Sequence, residues 1–133
     1  MPSPPKRLIE VAAAIIKKEG RYLITKRLKK SHLGHFWEFP GGKVERQETP
    51  EQCVIRECLE EIDVEVKPTQ LFEELTHSYP EVSLKLYFFL CDLVSGTPKT
   101  IECADLKWVY PEELKDYPFP EADLEIIQRL ESS

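Results

Sequence analysis

Val11-Ala12-Ala13-Ala14-Ile15-Ile16 is an unbroken apolar run, and it predicts a strand buried on both faces. Glu19-Gly20 predicts a turn, and Tyr22 to Arg27 the hairpin partner. Lys29 to His35 is polar and basic. Phe36-Trp37-Glu38-Phe39 then reads as a short strand that Pro40-Gly41-Gly42 breaks into a loop. Farther on the period changes: Ile55, Cys58, Leu59 and Ile62 recur at helical spacing, as one apolar stripe turned to the core. Thr49 can cap that helix, Pro50 fits its first turn, and Gln52 stands where a capping-box partner belongs, so the helix starts near Pro50. Pro68 closes the next loop, and Leu71 to Tyr79 and Val82 to Leu93 read as strands. Gly96 and Pro98 mark a turn, Leu106 to Tyr110 a short strand. Leu124, Ile127 and Leu130 give Glu121 to Leu130 the face of a terminal amphipathic helix.

The chain has 133 residues, 41% of them hydrophobic and 32% charged, which predicts one domain over residues 1–133, with Met1 to Pro5 a loose end. A formal net charge of -6 argues against general attraction to a nucleic-acid polymer or an anionic membrane. A phosphate-bearing small molecule would have to be met locally, by a bound cation or a few placed Arg and Lys residues. Cys53, Cys58, Cys91 and Cys103 show no Cys-x-x-Cys spacing and no secretory leader accompanies them, so they read as reduced, buried small hydrophobes of a cytoplasmic protein. Monomer and homodimer are both left open.

On a helix starting near Pro50, Glu57, Glu60 and Glu61 are expected together on the side opposite the apolar stripe. Like charges at that spacing repel, and Arg56 alone cannot neutralise three carboxylates. The arrangement is either a solvated face or a set of hard oxygen donors suited to Mg2+ or Mn2+. Gly41 and Gly42, just before the helix, would let a backbone approach a ligand closely, and Lys43 adds a charge suited to phosphate.

Gly42, Glu48, Arg56, Glu57, Glu60 and Glu61 fit the pattern G-x5-E-x7-R-E-U-x-E-E-x-G-U at every interval, with Cys58 and Val64 at its two apolar positions. The segment resembles the Nudix hydrolase family, and the flanks resemble its MutT-like branch. Asp63 departs from the pattern where the family has Gly in a left-handed conformation, which Asp tolerates better than most residues. The resemblance implies an α/β fold, a mixed sheet sandwiched between helices. It also implies Mg2+ or Mn2+ held by the carbonyl of Gly41 and the carboxylates of Glu57, Glu60, Glu61 and Glu102. Glu57 would be the general base or a ligand beside it, and Arg56 a structural partner of Glu48 or a helix glutamate. Arg27, His32 and Glu38-Phe39-Pro40-Gly41-Gly42-Lys43 match substrate-contacting positions. The implied reaction is attack of water on a phosphorus of a nucleoside triphosphate, giving a monophosphate and pyrophosphate.

Asp123 takes a position where the resembled branch carries Asn to read 8-oxoguanine. An ionised carboxylate only accepts, so Asp123 would favour a base edge that donates, such as the exocyclic amine of cytosine or the ring NH and amine of guanine. If burial keeps it protonated it donates as well, and the reading of 8-oxoguanine revives. Hydrolysis of ADP-ribose or NADH and a non-catalytic nucleotide sensor are the alternatives; a sensor would be expected to lose its metal-binding acids. Trp37 and Trp108 read as packing residues, and His35 and His77 as surface or strand residues without metal-ligand spacing.

Overall fold

A computed structural model describes residues 7–30 and 34–132. The strands are β1 (Arg7–Lys18), β2 (Arg21–Lys26), β3 (Trp37–Glu38), β4 (Gly41–Lys43), β5 (Glu65–Ser78), β6 (Val82–Ser95) and β7 (Asp105–Val109). Helix α1 spans Pro50–Ile62 and α2 Leu124–Glu131, with 3-10 turns at Pro111–Asp116 and Glu121–Asp123. β1 runs parallel to β6 from Arg7 to Ile16, while β2, β4 and β5 make antiparallel pairs, so the sheet is mixed.

Alternation along β1 divides the core. Ala12, Ala14 and Ile16 pack with Cys53, Val54, Cys58 and Ile62 of α1 on one face of the sheet. Ile15 packs with Ile126, Ile127 and Leu130 of α2, and with Trp37, Phe39 and Phe119, on the other. This is the expected sheet between helices. Trp37 lies edge-on to Tyr117 with ring centroids 5.1 Å apart, and all four cysteines are free and buried.

Four expectations are corrected. Pro40-Gly41-Gly42 does not open a loop: Gly41–Lys43 pairs with Val11–Ala13 as β4, and a Cβ on Gly41 would stand 2.1 Å from the Ala12 carbonyl oxygen. These glycines make room for protein. Pro68 lies inside β5, where it is tolerated because β5 pairs only with β6 and the register shifts between Pro68 and Gln70.

The third correction concerns α1. Ile55 and Leu59 are 40% and 57% exposed, whereas Cys53, Val54, Cys58, Glu61 and Ile62 are buried. The helix is rotated from the expected stripe because Glu61 is hydrogen-bonded inside and so belongs to the buried side. The three glutamates therefore run along the edge of the core face. In α2, likewise, Leu124 is exposed and Ile126 takes the buried place assigned to it.

Candidate metal and nucleotide site

The ends of α1 set the positions of its acids. Thr49 accepts from the Gln52 N–H at 3.1 Å, Gln52 returns a bond to the Thr49 N–H at 2.9 Å, and Pro50 occupies the first turn. Asp63 ends the helix at φ 58°, and its N–H bonds the Cys58 and Leu59 carbonyls. The last carbonyls are covered by the loop before β7: Ile101 and Glu102 donate to Glu61 at 3.2 and 3.0 Å, and Lys99 to Ile62 at 2.9 Å. That docking brings Glu102 beside the acids of α1, although some forty residues of chain separate them.

β1 forks at the site. It pairs with β4 over Val11–Ala13 and with β2 only at Lys17 and Lys18, and between the two partners the Ala14 N–H donates to the Pro40 carbonyl at 2.8 Å. Glu61, 8% exposed, lies beside this fork and accepts from Thr25 Oγ1 at 3.2 Å and the Gly41 N–H at 3.3 Å. Glu57 sits against Gly42, where any Cβ would fall within 2.7 Å of its carboxylate. Arg56 is the local cation. Its Nε and Nη2 hold Glu48 at 2.7 and 3.0 Å, Nη1 holds Glu57 at 2.8 Å and Glu60 at 3.1 Å, and Nη2 reaches the Lys43 carbonyl at 3.2 Å.

Charge is unevenly balanced across this group. The Arg56 guanidinium holds the Glu48 carboxyl down at about 2. Burial pushes Glu57 up, and its neighbours Glu60 and Glu102 add to the rise against the pull of Arg56. Burial likewise carries Glu61 up to about 8, helped by the charges of Glu38 and Glu57 and opposed by its bonds from Gly41 and Thr25. Carboxylates that raise one another, with their one guanidinium shared among several, are short of positive charge. Their donor set is hard oxygen, which fits Mg2+ or Mn2+. Among the described residues no three acidic, His or Cys side chains already stand in a coordinating arrangement. Glu57 and Glu60 are turned to Arg56, and Glu61 to Thr25 and Gly41.

Between Glu61 and Asp123, and in register with Thr25, Glu38 is bound through both oxygens by Arg27 Nη1, at 2.8 and 3.0 Å. Asp123 is 8% exposed, and its carboxyl has no hydrogen-bond partner among the described residues. No buried polar side-chain atom is left orphaned there, so the carboxyl keeps a narrow opening to solvent. Burial pushes Asp123 up to about 7, with Glu38 raising it and Arg27 lowering it. Phe39 is buried against Phe88 and Phe119 and serves packing. Lys43 is exposed, and His32 lies outside the described residues.

Residues 11–129 match the NUDIX domain family. The chain belongs to the Nudix hydrolase family. Within it, this hydrolase is MutT-like. It is 37% identical over 126 residues to an 8-oxo-dGTP diphosphatase of Haemophilus influenzae, covering 94% of this chain and 93% of that one. It is 34% identical over 125 residues to a CTP pyrophosphohydrolase of Escherichia coli, covering 92% and 90%. The fold superposes on a MutT protein of Methanosarcina mazei with a TM-score of 0.85 at 25% identity, over 98% of this chain and 97% of that one. Nudix hydrolases as a family use divalent metals, in keeping with the oxygen donors gathered here. No described helix of this enzyme is long and apolar enough to cross a membrane.

Thr25 was not singled out by sequence reasoning, although its hydroxyl positions Glu61. The available signal was a small hydroxyl residue directly after Leu23-Ile24, on the same face as Leu23.

Proposed function

We propose that the enzyme hydrolyses a nucleoside triphosphate to the monophosphate and pyrophosphate, with 8-oxo-dGTP as its preferred substrate in the cytoplasm. The observation that carries this reading is a cation-poor group of carboxylates at the Gly41-Gly42 strand: Glu61 buried on the Gly41 N–H, Glu57 half-buried against Gly42, and Glu102 exposed beside them. Gly41, Glu57, Glu60, Glu61 and Glu102 would hold the divalent ion, which when bound neutralises phosphate charge and acidifies water. Glu57, held against Gly42, takes the proton of the attacking water through a carboxylate oxygen that the ion leaves free. The water oxygen bonds to phosphorus as the bond to pyrophosphate breaks. Arg56 keeps Glu57 and Glu60 turned to the site while Glu48 anchors it from the loop. Lys43 and Arg27 meet the phosphate end of the nucleotide, and Glu38 orients Arg27.

Asp123 reads the base. Near pH 7 both of its protonation states are populated. The neutral form donates and accepts as an amide does, which suits 8-oxoguanine, and it shifts the reading away from the donor-only edge expected of an ionised carboxylate. A second reading, a cytosine-type nucleotide, is favoured by the ionised form and gains weight as pH rises. Pyrophosphate release from 8-oxo-dGTP, dCTP, 5-methyl-dCTP and CTP with Mg2+ tests both. We expect 8-oxo-dGTP to lead at pH 6 and its lead to narrow by pH 8. Binding of nucleotides without product from any of them would make the protein a sensor.

A further inference from the structure

Past the end of β4 lies a groove of about 530 Å3, walled by Arg7 to Glu10 at the start of β1 and by the loop from Lys43 to Glu48. That is the size of a small-molecule site. Its charged residues are three acids and three bases, and the two sets differ in what they do. Each acid is committed: Glu10 accepts from the Tyr87 hydroxyl at 2.7 Å, and Glu48 and Glu45 are held by Arg56, Glu45 at 3.6 Å. Among the described residues, no ion pair or hydrogen bond engages the side chains of Arg7, Lys43 or Arg46. Arg7, Lys43 and Arg46 are all exposed, so their charge is open to a ligand in the groove, whereas the acids of the same lining are turned to partners in the protein.

The groove is also next to the chemistry. Lys43 directly follows Gly42, against which the Glu57 carboxylate sits, and the Lys43 carbonyl accepts from Arg56. In the strand, Lys43 pairs with Val11, so Lys43 and Arg7 project from the same face of the sheet. Arg46 falls on a freely varying position of the interval between Gly42 and Glu48. We infer that this groove is a subsite for the distal phosphates of a polyphosphate chain, with Arg46 and Arg7 as its anion-binding residues. This rests on the reading that nucleotide phosphates meet the acids of α1. It extends that reading to substrates carrying more phosphates than three, which the groove would hold by charge.

Calorimetric titration with inorganic tripolyphosphate, in EDTA to remove metals, tests the subsite apart from hydrolysis. The wild-type protein should bind, and binding should weaken as salt rises. Arg46→Glu should weaken it by roughly tenfold or more and Arg46→Gln by less, both with an unchanged melting temperature. In kinetics, Arg46→Glu should raise KM for a nucleoside tetraphosphate more than for the triphosphate. Absence of tripolyphosphate binding by the wild type, or equal binding by Arg46→Glu, overturns the inference. Binding that depends on Arg46 in a protein that releases pyrophosphate from no nucleotide would sustain the groove and defeat the proposed hydrolysis instead.

Discussion

The two sides of the β1 fork hold their acids in opposite ways. On the α1 side the helix carboxylates and Glu48 are tied down, Glu48, Glu57 and Glu60 by Arg56 and Glu61 by Thr25 and Gly41. On the α2 side Asp123 is as buried as Glu61 but unbonded among the described residues, with Arg27 turned to Glu38. A bonded acid keeps its place whatever its charge, which suits catalysis. An unbonded buried acid changes its hydrogen-bonding character with its proton, which suits reading a base.

The largest effect should come from the tied side. Glu57→Gln preserves size and hydrogen bonding and removes the base, so turnover should fall by about 10²-fold to 10⁴-fold while circular dichroism stays native. Near-normal turnover would move the proton-accepting role elsewhere. Arg56→Ala should come next, because it leaves Glu48, Glu57 and Glu60 without their shared partner. A loss of about 2 kcal/mol in stability is expected, read from denaturant melts, with a fall in activity. Arg56→Lys should rescue little, since an ammonium cannot bridge Glu48 and Glu57 together.

The open side predicts a pH effect. Because Asp123 stands at about 7, its donating form fades as pH passes through that value. KM for 8-oxo-dGTP should therefore rise by about tenfold between pH 6 and 8, a span over which the neutral fraction falls by nearly that factor. Asp123→Asn should flatten this profile; a slope equally steep in Asp123→Asn would assign the titration to another group.

Stability carries the same signs. Glu48, depressed to about 2 from an ordinary 4.5, stabilises the fold above about 4.5 and loses that contribution as pH falls towards 2. Asp123 and Glu61, raised to about 7 and about 8, bind protons more tightly when folded, so metal-free stability should decline as pH rises from about 4 to 8. Melts in EDTA at pH 5 and 8 check this, and Mg2+ should restore more at pH 8. The smallest effect belongs to Asp63, left-handed at φ 58°. Asp63→Gly should gain about 0.5–1 kcal/mol without altering turnover.

Legibility in the sequence follows the same division. Glu57, Glu60, Glu61 and Arg56 are placed by helical spacing, and Thr49, Pro50 and Gln52 mark where that helix begins, so the α1 side was readable locally. Its rotation was not, because Glu61 is buried through bonds from Thr25 and Gly41, partners remote in sequence. Strand β4 is hidden in the sequence for a related reason: Gly41 and Gly42 signal a loop, yet here they admit Ala12 and Glu57 to close contact. Asp123 was recognisable by position. Its protonation depends on burial beneath the sheet and on Glu38, which only the packed structure brings near.

The most direct test of the carboxylate site is a titration of the protein with Mn2+, followed by electron paramagnetic resonance. The account predicts saturable binding that Glu61→Gln and Glu57→Gln each weaken by at least about tenfold in folded protein, since each removes a charged oxygen donor. Binding of Mn2+ with unchanged affinity in both variants would contradict it.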